Sequence, residues 1–441
     1  MTIPFLAARS AFRKTRFQDQ YVAAHEAPAV IERVASPPAH PPSCRARDSQ
    51  RQRRGTGMCD LVRRCRSRHV NVQVNLHDQC GRPVRYVTSG ETQVNTMIST
   101  MADGAEPDAD VRPRLATQPS RLLVLGKRTI DELDYDPSMV LDAVERAYLG
   151  LGSGESDNPR KLMSQPPDKH SVAYSMLGRD GGRRTVGFKT SYKFDPEHNR
   201  ELQKYYTTLL LFDDETGLPV ALMDGSLVGS LRTPAVSALI ARTAAPRART
   251  ALVVGTGTQG RMAAPFLLTA LPDIERVIVH GHYASGIDAV RKTLKRFHPG
   301  RDIEVSTDLV ASANEADIVL GVAGAGVSEA VRHAALKPGA LALLVGYGIH
   351  ADALHGADYR IATSEAQMQV TGADLADEAG KLPAVDAELP DILLGRKPAR
   401  RTDADVVYAF NSGMIVTDIA LGRVLADAAL TKGLGREVEL W

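Results

Sequence analysis

The chain has 441 residues, of which 43% are hydrophobic and 24% charged, enough for about two or three domains with sizeable buried cores. Its 54 basic and 52 acidic side chains leave a net charge of +2, which gives no chain-wide case for nucleic acid or a membrane surface as partner. No run of 18 or more apolar residues occurs, which excludes a membrane-spanning apolar helix, and collagen-like, coiled-coil and disulfide-scaffold compositions fall as well.

Charge is unevenly spread. Through residue 72 there are 13 Arg and one Lys against five acidic residues, with Pro pairs at 37–38 and 41–42. Residues 1–120 show no sustained period of 3.6 or 2.0, and this composition predicts a basic, disordered extension. Two other readings stand beside it. The Arg-rich, acid-poor start MTIPFLAARSAFRKTRF is like a mitochondrial presequence, though nothing else in the chain supports an organellar protein; the extension reading itself includes upstream sequence before a later start, with Met97 and Met101 just ahead of ordinary folding patterns. Cys59, Cys65, His69, His77 and Cys80 could ligate zinc, but their spacings match no C-x2-C or H-x3-5-H pattern, so no metal is expected. With Cys44 these are all the cysteines of the chain. The body after residue 80 therefore has no thiol chemistry, which fits a reducing, cytoplasmic setting.

The ordered chain is predicted to begin with the short apolar strand at the head of RLLVLGKRTI (121–130). Asp136-Pro137 reads as a helix N-cap with Pro at the first helical position, and Val140, Val144 and Tyr148 make an i, i+4 stripe ending at the Gly152/Gly154 pair. Residues 171–177 and 185–194 read as strands around a GRDGGR turn, and 205–212 and 218–224 as a hairpin around DDETG. After Arg232-Thr233-Pro234 a helical segment, AVSALIARTAA, leads into a second pattern. There the apolar runs 251–255, 276–280, 303–306, 317–323, 340–346 and 359–363 alternate with helical stretches, which indicates βαβ units and a parallel sheet. The tail from VVYAFNSGMIVTDIALGRVLADAAL onward holds an amphipathic helix that returns to the first unit.

Gly255-Thr256-Gly257-Thr258-Gln259-Gly260 is a full G-x-G-x-x-G that follows a buried-type strand and opens a helix. In that context it is a dinucleotide site: small residues let the backbone approach a pyrophosphate, and the helix N-terminus stabilises its charge. The next strand ends His280-Gly281-His282-Tyr283, with no carboxylate for a ribose 2′-hydroxyl. NAD and NADP are both open, NADP being favoured, and His282 or Arg261 could meet a 2′-phosphate.

In the first unit Lys189 lies in the apolar strand VGFKTS, Asn199 follows in DPEHN, and Arg232 stands in SLRTPAVSAL. A cation in an apolar strand is costly unless it is paired or faces a cleft, and each residue alone is most simply a member of a structural ion pair. Together, the string GFKTSYKFDPEHN…TTLLLFDDETGLPVALMDG…LRTPAVSALIAR…LVVGTGTQG, with the late AFNSGMIVTDIA, resembles the ornithine cyclodeaminase/μ-crystallin family over about residues 121–435. The resemblance implies an α/β architecture in which a Rossmann-type parallel-sheet domain (236–405) is inserted in an α/β substrate-binding and dimerisation domain (121–235, completed by 406–441). It also implies NAD(P), a small-molecule amino acid or cyclic imine as partner, and a homodimer. Carried over by motif, Lys189 and Arg232 are the catalytic, carboxylate-holding pair, with Asn199 beside them. A further basic residue, Arg160 or Lys161 in NPRKLM, completes the set. Gly255, Gly257, Thr258, Gln259, Gly260 and His282 would hold the cofactor.

Cyclodeaminases of this family carry a catalytic Asp after a late Rossmann strand. Tyr347 stands at that place here, Ala353 replaces a usual Glu, and Asp352 comes five residues late. Pro234 for a usual Ala and Gly229 for a usual Thr point to a reshaped pocket. The leading expectation is an NAD(P)-dependent oxidoreductase of the ketimine reductase or amino-acid dehydrogenase type. The alternatives are an ornithine/lysine cyclodeaminase-type ammonia lyase with tightly bound NAD, and a ligand-binding member without turnover.

Overall fold

The computed structural model describes residues 76–77, 83–84 and 121–441, apart from 169, 195–204 and 325–326. The chain divides into two units, 1–105 and 106–441. In the first, the described residues form one antiparallel ladder, Leu76–His77 against Pro83–Val84. The disordered-extension, presequence and zinc readings otherwise fall outside the described residues, as does Asn199.

The second unit contains two sheets. The first is built from β1 (Arg121–Leu125), β2 (Leu162–Ser164), β3 (Ser171–Asp180), β4 (Thr185–Phe194), β5 (Tyr205–Asp213), β6 (Pro219–Asp224) and, from the far end of the chain, β15 (Arg436–Glu439). Their order is β15-β1-β6-β5-β4-β3-β2, antiparallel except for the β1–β6 pair. Three helices cover one face: α1 (Pro137–Ser153), α2 (Gly225–Ala244) and α9 (Ile415–Thr431). The Asp136 carboxylate accepts from Ser138 N at 2.9 Å, and Gly154 at φ 81° closes α1, as the sequence predicts.

Helix α2 starts ten residues earlier than expected. Asp224, the last residue of β6, caps it by accepting from Leu227 N at 2.8 Å, so Pro234 lies inside the helix instead of at its start. An interior Pro costs about 3 kcal/mol, but α2 is buried along nearly its whole length and that burial outweighs the loss. The Thr233 carbonyl is bonded by Asn411 Nδ2 at 3.1 Å and by Ser237 Oγ at 3.2 Å.

The second sheet is wholly parallel. It comprises β7 (Thr250–Val254), β8 (Arg276–His280), β9 (Glu304–Val305), β10 (Ile318–Gly321), β11 (Leu341–Leu344), β12 (Tyr359–Ala362), β13 (Ala387–Glu388) and β14 (Val407–Phe410), in the order β9-β8-β7-β10-β11-β14-β12-β13. This is the doubly wound Rossmann pattern with a switch point between β7 and β10. Leu252, Val253 and Val254 are fully buried, each worth roughly 1.5–3 kcal/mol. Connecting helices include α3 (Thr258–Ala270), α4 (Ala284–Phe297), α5 (Leu309–Glu315), α6 (Ala351–Gly356), α7 (Glu365–Thr371) and α8 (Leu389–Leu393).

The tail departs from expectation twice. Residues 407–410, assigned with the returning tail, form β14, which inserts between β11 and β12 through parallel ladders to both. The return to the first sheet begins after it, with α9. That helix is buried on most of its circumference instead of on one stripe, because it is wedged between the first sheet and α1 and α2.

Candidate active site

Lys189 sits at the centre of β4. Its register is fixed by the pairs Met176↔Lys189 and Lys189↔Leu209, and by the hydroxyls of Ser191 and Thr207, 3.1 Å apart across the same ladder. Residues 185, 187, 189 and 191 point to the helices and are buried, while 188, 190 and 192 point away and are exposed. A slip of one residue would expel Lys189 from the interior.

There it meets a partner that sequence reasoning missed. Asp418, in the first turn of α9, takes Lys189 Nζ at 2.8 Å and Arg232 Nε at 3.2 Å on one oxygen. Lys189 and Asp418 are buried, Asp418 almost completely, and Arg232 is partly buried. Burial pushes the Asp418 carboxyl up, but Arg232 and Lys189 together outweigh it and hold the group low, hence ionised. Burial, joined by the charge of Arg232, lowers Lys189 below the ordinary lysine range although Asp418 pulls the other way. The signal was present in the sequence: an Asp in the apolar stretch MIVTDIAL needs a buried cation as surely as Lys189 needs an anion.

With Lys189 protonated the triad holds two positive charges against one negative, which leaves one buried charge uncompensated. The groups face a cleft of about 330 Å³ that Lys161, Tyr174, Met176, Gln367 and Ser412 help to line. Asn158 Oδ1 accepts from Val416 N at 3.1 Å, tying the 158–161 segment to the start of α9. Lys161 lies over the Tyr174 ring at 5.2 Å, and burial lowers its pKa. Of the two residues that sequence left open, Lys161 therefore lines the cleft, while Arg160 is exposed and does not. Gly413, at φ 65°, lets the turn between β14 and α9 pass over Arg232; a Cβ there would come within 2.7 Å of Nη1. At Gly229 an added Cβ would stand 3.7 Å from Lys189 Nζ, so this glycine leaves space beside the ammonium.

The glycine turn fits a dinucleotide pyrophosphate. Gly255 adopts φ 115°, and a Cβ there would press on the Ala323 backbone at 2.6 Å. A Cβ at Gly260 would strike the Gly255 carbonyl at 2.0 Å, so α3 can pack this closely on the turn only with glycine. At Gly257 a Cβ would meet nothing within 4 Å, which leaves the backbone open to a ligand. Gly257 caps α3 without a side-chain bond, Thr258 is exposed in its first turn, and the buried Gln259 Oε1 has no hydrogen-bond partner. His282 is exposed and stands edge-on to His280 at 5.5 Å, and Arg261 is exposed.

Asp352 is not a site carboxylate: it accepts from His333 N and pairs with Arg332, both at 3.1 Å. Tyr347 lines a neighbouring cleft of about 380 Å³ and donates to Asp374 at 3.3 Å. The described residues contain no cluster of three or more potential metal ligands, and no described helix is long and apolar enough to cross a membrane.

The β7–α3 glycine turn at the carboxyl end of an interior strand of a doubly wound parallel sheet defines a Rossmann-type protein, here joined to a second sheet that carries a cationic cleft. Comparison with known proteins narrows this: the chain belongs to the ornithine cyclodeaminase/mu-crystallin family, whose model matches residues 126–433. It is 26% identical over 314 residues to the nodulation efficiency protein NfeD of Rhizobium meliloti, covering 70% of this chain and 96% of that one. It is 28% identical over 256 residues to a Delta(1)-pyrroline-2-carboxylate reductase of Bacillus thuringiensis, covering 55% and 78%. The fold matches that of the Thermococcus litoralis Delta(1)-pyrroline-2-carboxylate reductase, solved with NADH and L-proline, at a TM-score of 0.62 and 19% identity, over 72% of this chain and all of that one.

Proposed function

We propose that the protein is an NAD(P)-dependent oxidoreductase that interconverts an amino acid with its imine, of the imine reductase or amino-acid dehydrogenase type. The observation that carries this reading is the buried Lys189–Asp418–Arg232 triad, one positive charge in excess at the base of a small cleft, in a chain whose glycine turn accepts a pyrophosphate. A substrate carboxylate supplies the missing negative charge. Asp418 holds Arg232 through Nε, so the terminal Nη groups are left to grip that carboxylate. When bound, the nicotinamide supplies the hydride for the substrate carbon. Lys189, acidified by burial and by Arg232, gives its proton to the nitrogen as the C=N bond is reduced, and takes one back in the oxidative direction. One hydride and one proton are thus added across C=N for each reduced nicotinamide consumed. Lys161 closes the cleft from the side.

The cyclodeaminase reading lacks its base. Tyr347 occupies the place of the expected Asp, and the one carboxylate among the described residues of the Lys189 cleft, Asp418, is engaged by two cations. On the cofactor side, the residues that directly follow β8 include no carboxylate and His282 stands exposed there, which favours acceptance of NADPH along with NADH, while Glu329, 3.1 Å from His280 Nε2, brings one carboxylate to the end of the strand and opposes it.

The outer face of the first sheet supports a homodimer. Leu162, Leu177, Phe188, Tyr192 and Tyr206 are between 42 and 68% exposed on a face that, in an antiparallel sheet turned to water, would be polar. A second copy of the chain covers it.

The test is to incubate the purified chain with NADH or NADPH and a panel of cyclic imines and of 2-oxo acids with amine, following the nicotinamide absorbance. Stoichiometric oxidation with one partner is expected. Ammonia release from ornithine or lysine with no net cofactor loss would instead identify a lyase, and cofactor binding with neither would identify a binder.

A further inference from the structure

Resting on that reading, we infer that Glu329 sets the choice of cofactor: it is the carboxylate that the end of β8 lacks, supplied from the connection after β10, and it selects NADH over NADPH. In a doubly wound fold the side chain that tells the two cofactors apart ordinarily closes the strand beside the glycine turn. That strand is β8, and the Gly255 amide donates to the His280 carbonyl at 2.9 Å. An acid on the next residue would displace Thr256. A Cβ at Gly281 would come within 2.5 Å of Thr256 Cγ2, and one at Gly286, in the first turn of α4, within 2.3 Å of Thr256 Oγ1. The second residue of the glycine turn thus fills the space that a side chain on residue 281 would need.

The carboxylate arrives from another direction. Glu329 brings Oε2 to 3.1 Å from His280 Nε2. Its place is held two residues on, where Val331 pairs with Ile349. There Val331 N donates to the Gly348 carbonyl at 3.0 Å, and His350 N donates to that of Val331 at 2.9 Å. Strand order puts β7 between β8 and β10, so the Glu329–His280 contact crosses the end of β7, from which the glycine turn leaves.

The contact is loosely made. Glu329 is 53% exposed while His280 is nine-tenths buried, and neither ring nitrogen of His280 makes a hydrogen bond although the carboxylate is near. A pair built only to hold the fold would align donor with acceptor. Here the carboxylate keeps lone pairs for another donor, which a ribose 2′-hydroxyl provides. A 2′-phosphate brings acceptor oxygens and like charge instead. His282, exposed beside His280, can donate to a hydroxyl or to a phosphate, and so does not discriminate. The preference is therefore the reverse of the one that β8 alone suggests.

Binding tests this without turnover. NADH and NADPH are titrated calorimetrically into the full chain and into its Glu329→Gln variant. NADH is expected to bind at least roughly tenfold more tightly than NADPH, the size of one charged hydrogen bond. Glu329→Gln keeps the shape, removes the charge and closes that gap, chiefly by tightening NADPH. Equal binding by the unaltered chain, a preference for NADPH, or a gap that survives Glu329→Gln overturns the inference. So does a parallel weakening of both cofactors in the variant, which is what a merely structural Glu329 would give.

Turnover separates it from the parent reading. If the gap opens and closes as described but no imine or 2-oxo acid with amine oxidises NADH, hydride transfer is wrong and the selector stands. If both cofactors bind equally and both are oxidised, hydride transfer stands and the selector is wrong. Binding of neither cofactor overturns both.

Discussion

The two sheets of the second unit cover their apolar surface in opposite ways. The parallel sheet is enclosed on both faces, its strands are short continuous apolar runs, and its proposed cofactor site is a glycine turn that offers open backbone. The antiparallel sheet is enclosed on one face. Its strands alternate, and the alternation sends Lys189 inward to Asp418 while Phe188 and Tyr192 point outward without cover. Backbone geometry can be made by glycines close together in sequence. A charged triad must be assembled from β4, α2 and α9, in which Asp418 lies 229 residues from Lys189 and 186 from Arg232.

The sharpest way to break this contrast is to empty the triad. Asp418→Ala leaves two cations buried without their shared anion and is expected to cost about 3–5 kcal/mol of stability, read by chemical denaturation. A loss below about 1 kcal/mol would mean that water or another group already compensates Lys189 and Arg232.

Lys189→Met tests chemistry on the same side. Turnover should fall by roughly 10²–10⁴ while NAD(P)H binding is retained. In the unaltered protein the reductive rate should fall as pH rises through the Lys189 pKa, because only the protonated amine donates, and this limb lies below the ordinary lysine range. Asp418 raises that pKa, so in Asp418→Asn the limb should move to lower pH. A kcat/KM profile checks both signs.

On the parallel sheet the corresponding pair is Gly257→Val and Gly260→Val. The first adds a side chain to open space, so stability should stay within about 0.5 kcal/mol while cofactor affinity falls at least tenfold. The second drives a side chain into the Gly255 carbonyl and should damage the fold itself. If Gly257→Val binds the cofactor normally, the pyrophosphate does not lie on this turn. The smallest perturbation is Phe188→Glu on the uncovered face, which should convert a dimer to a monomer by sedimentation with little change in the fold of each chain.

How legible each part was in the sequence follows from the same contrast. The parallel strands and the glycine turn were readable because their signals are local: an apolar run, a Gly-x-Gly-x-x-Gly, a helix. The insertion of β14 between β11 and β12 was not, since strand order is a matter of non-local pairing. Nor was β15, a fully exposed edge strand whose residues, REVE, carry no apolar run. Pro234 masked the start of α2 because a proline marks a first helical turn far more often than a helix interior. Lys189 and Arg232 were found through the family motif. Asp418 lay inside a segment that carried the resemblance yet was passed over, because its meaning appears only when α9 is laid against β4. Lys161 over Arg160 was likewise decided by which side of an extended segment faces the cleft.

The most direct measurement of the central claim is a turnover with nicotinamide cofactor deuterated at the transferred position, with the product examined by mass spectrometry and NMR. Hydride transfer in the Lys189 cleft predicts one deuterium on the carbon that bears the amine, one equivalent of cofactor oxidised per product, and loss of both in Lys189→Met. Product formed with ammonia release, no net cofactor oxidation and no label would contradict it.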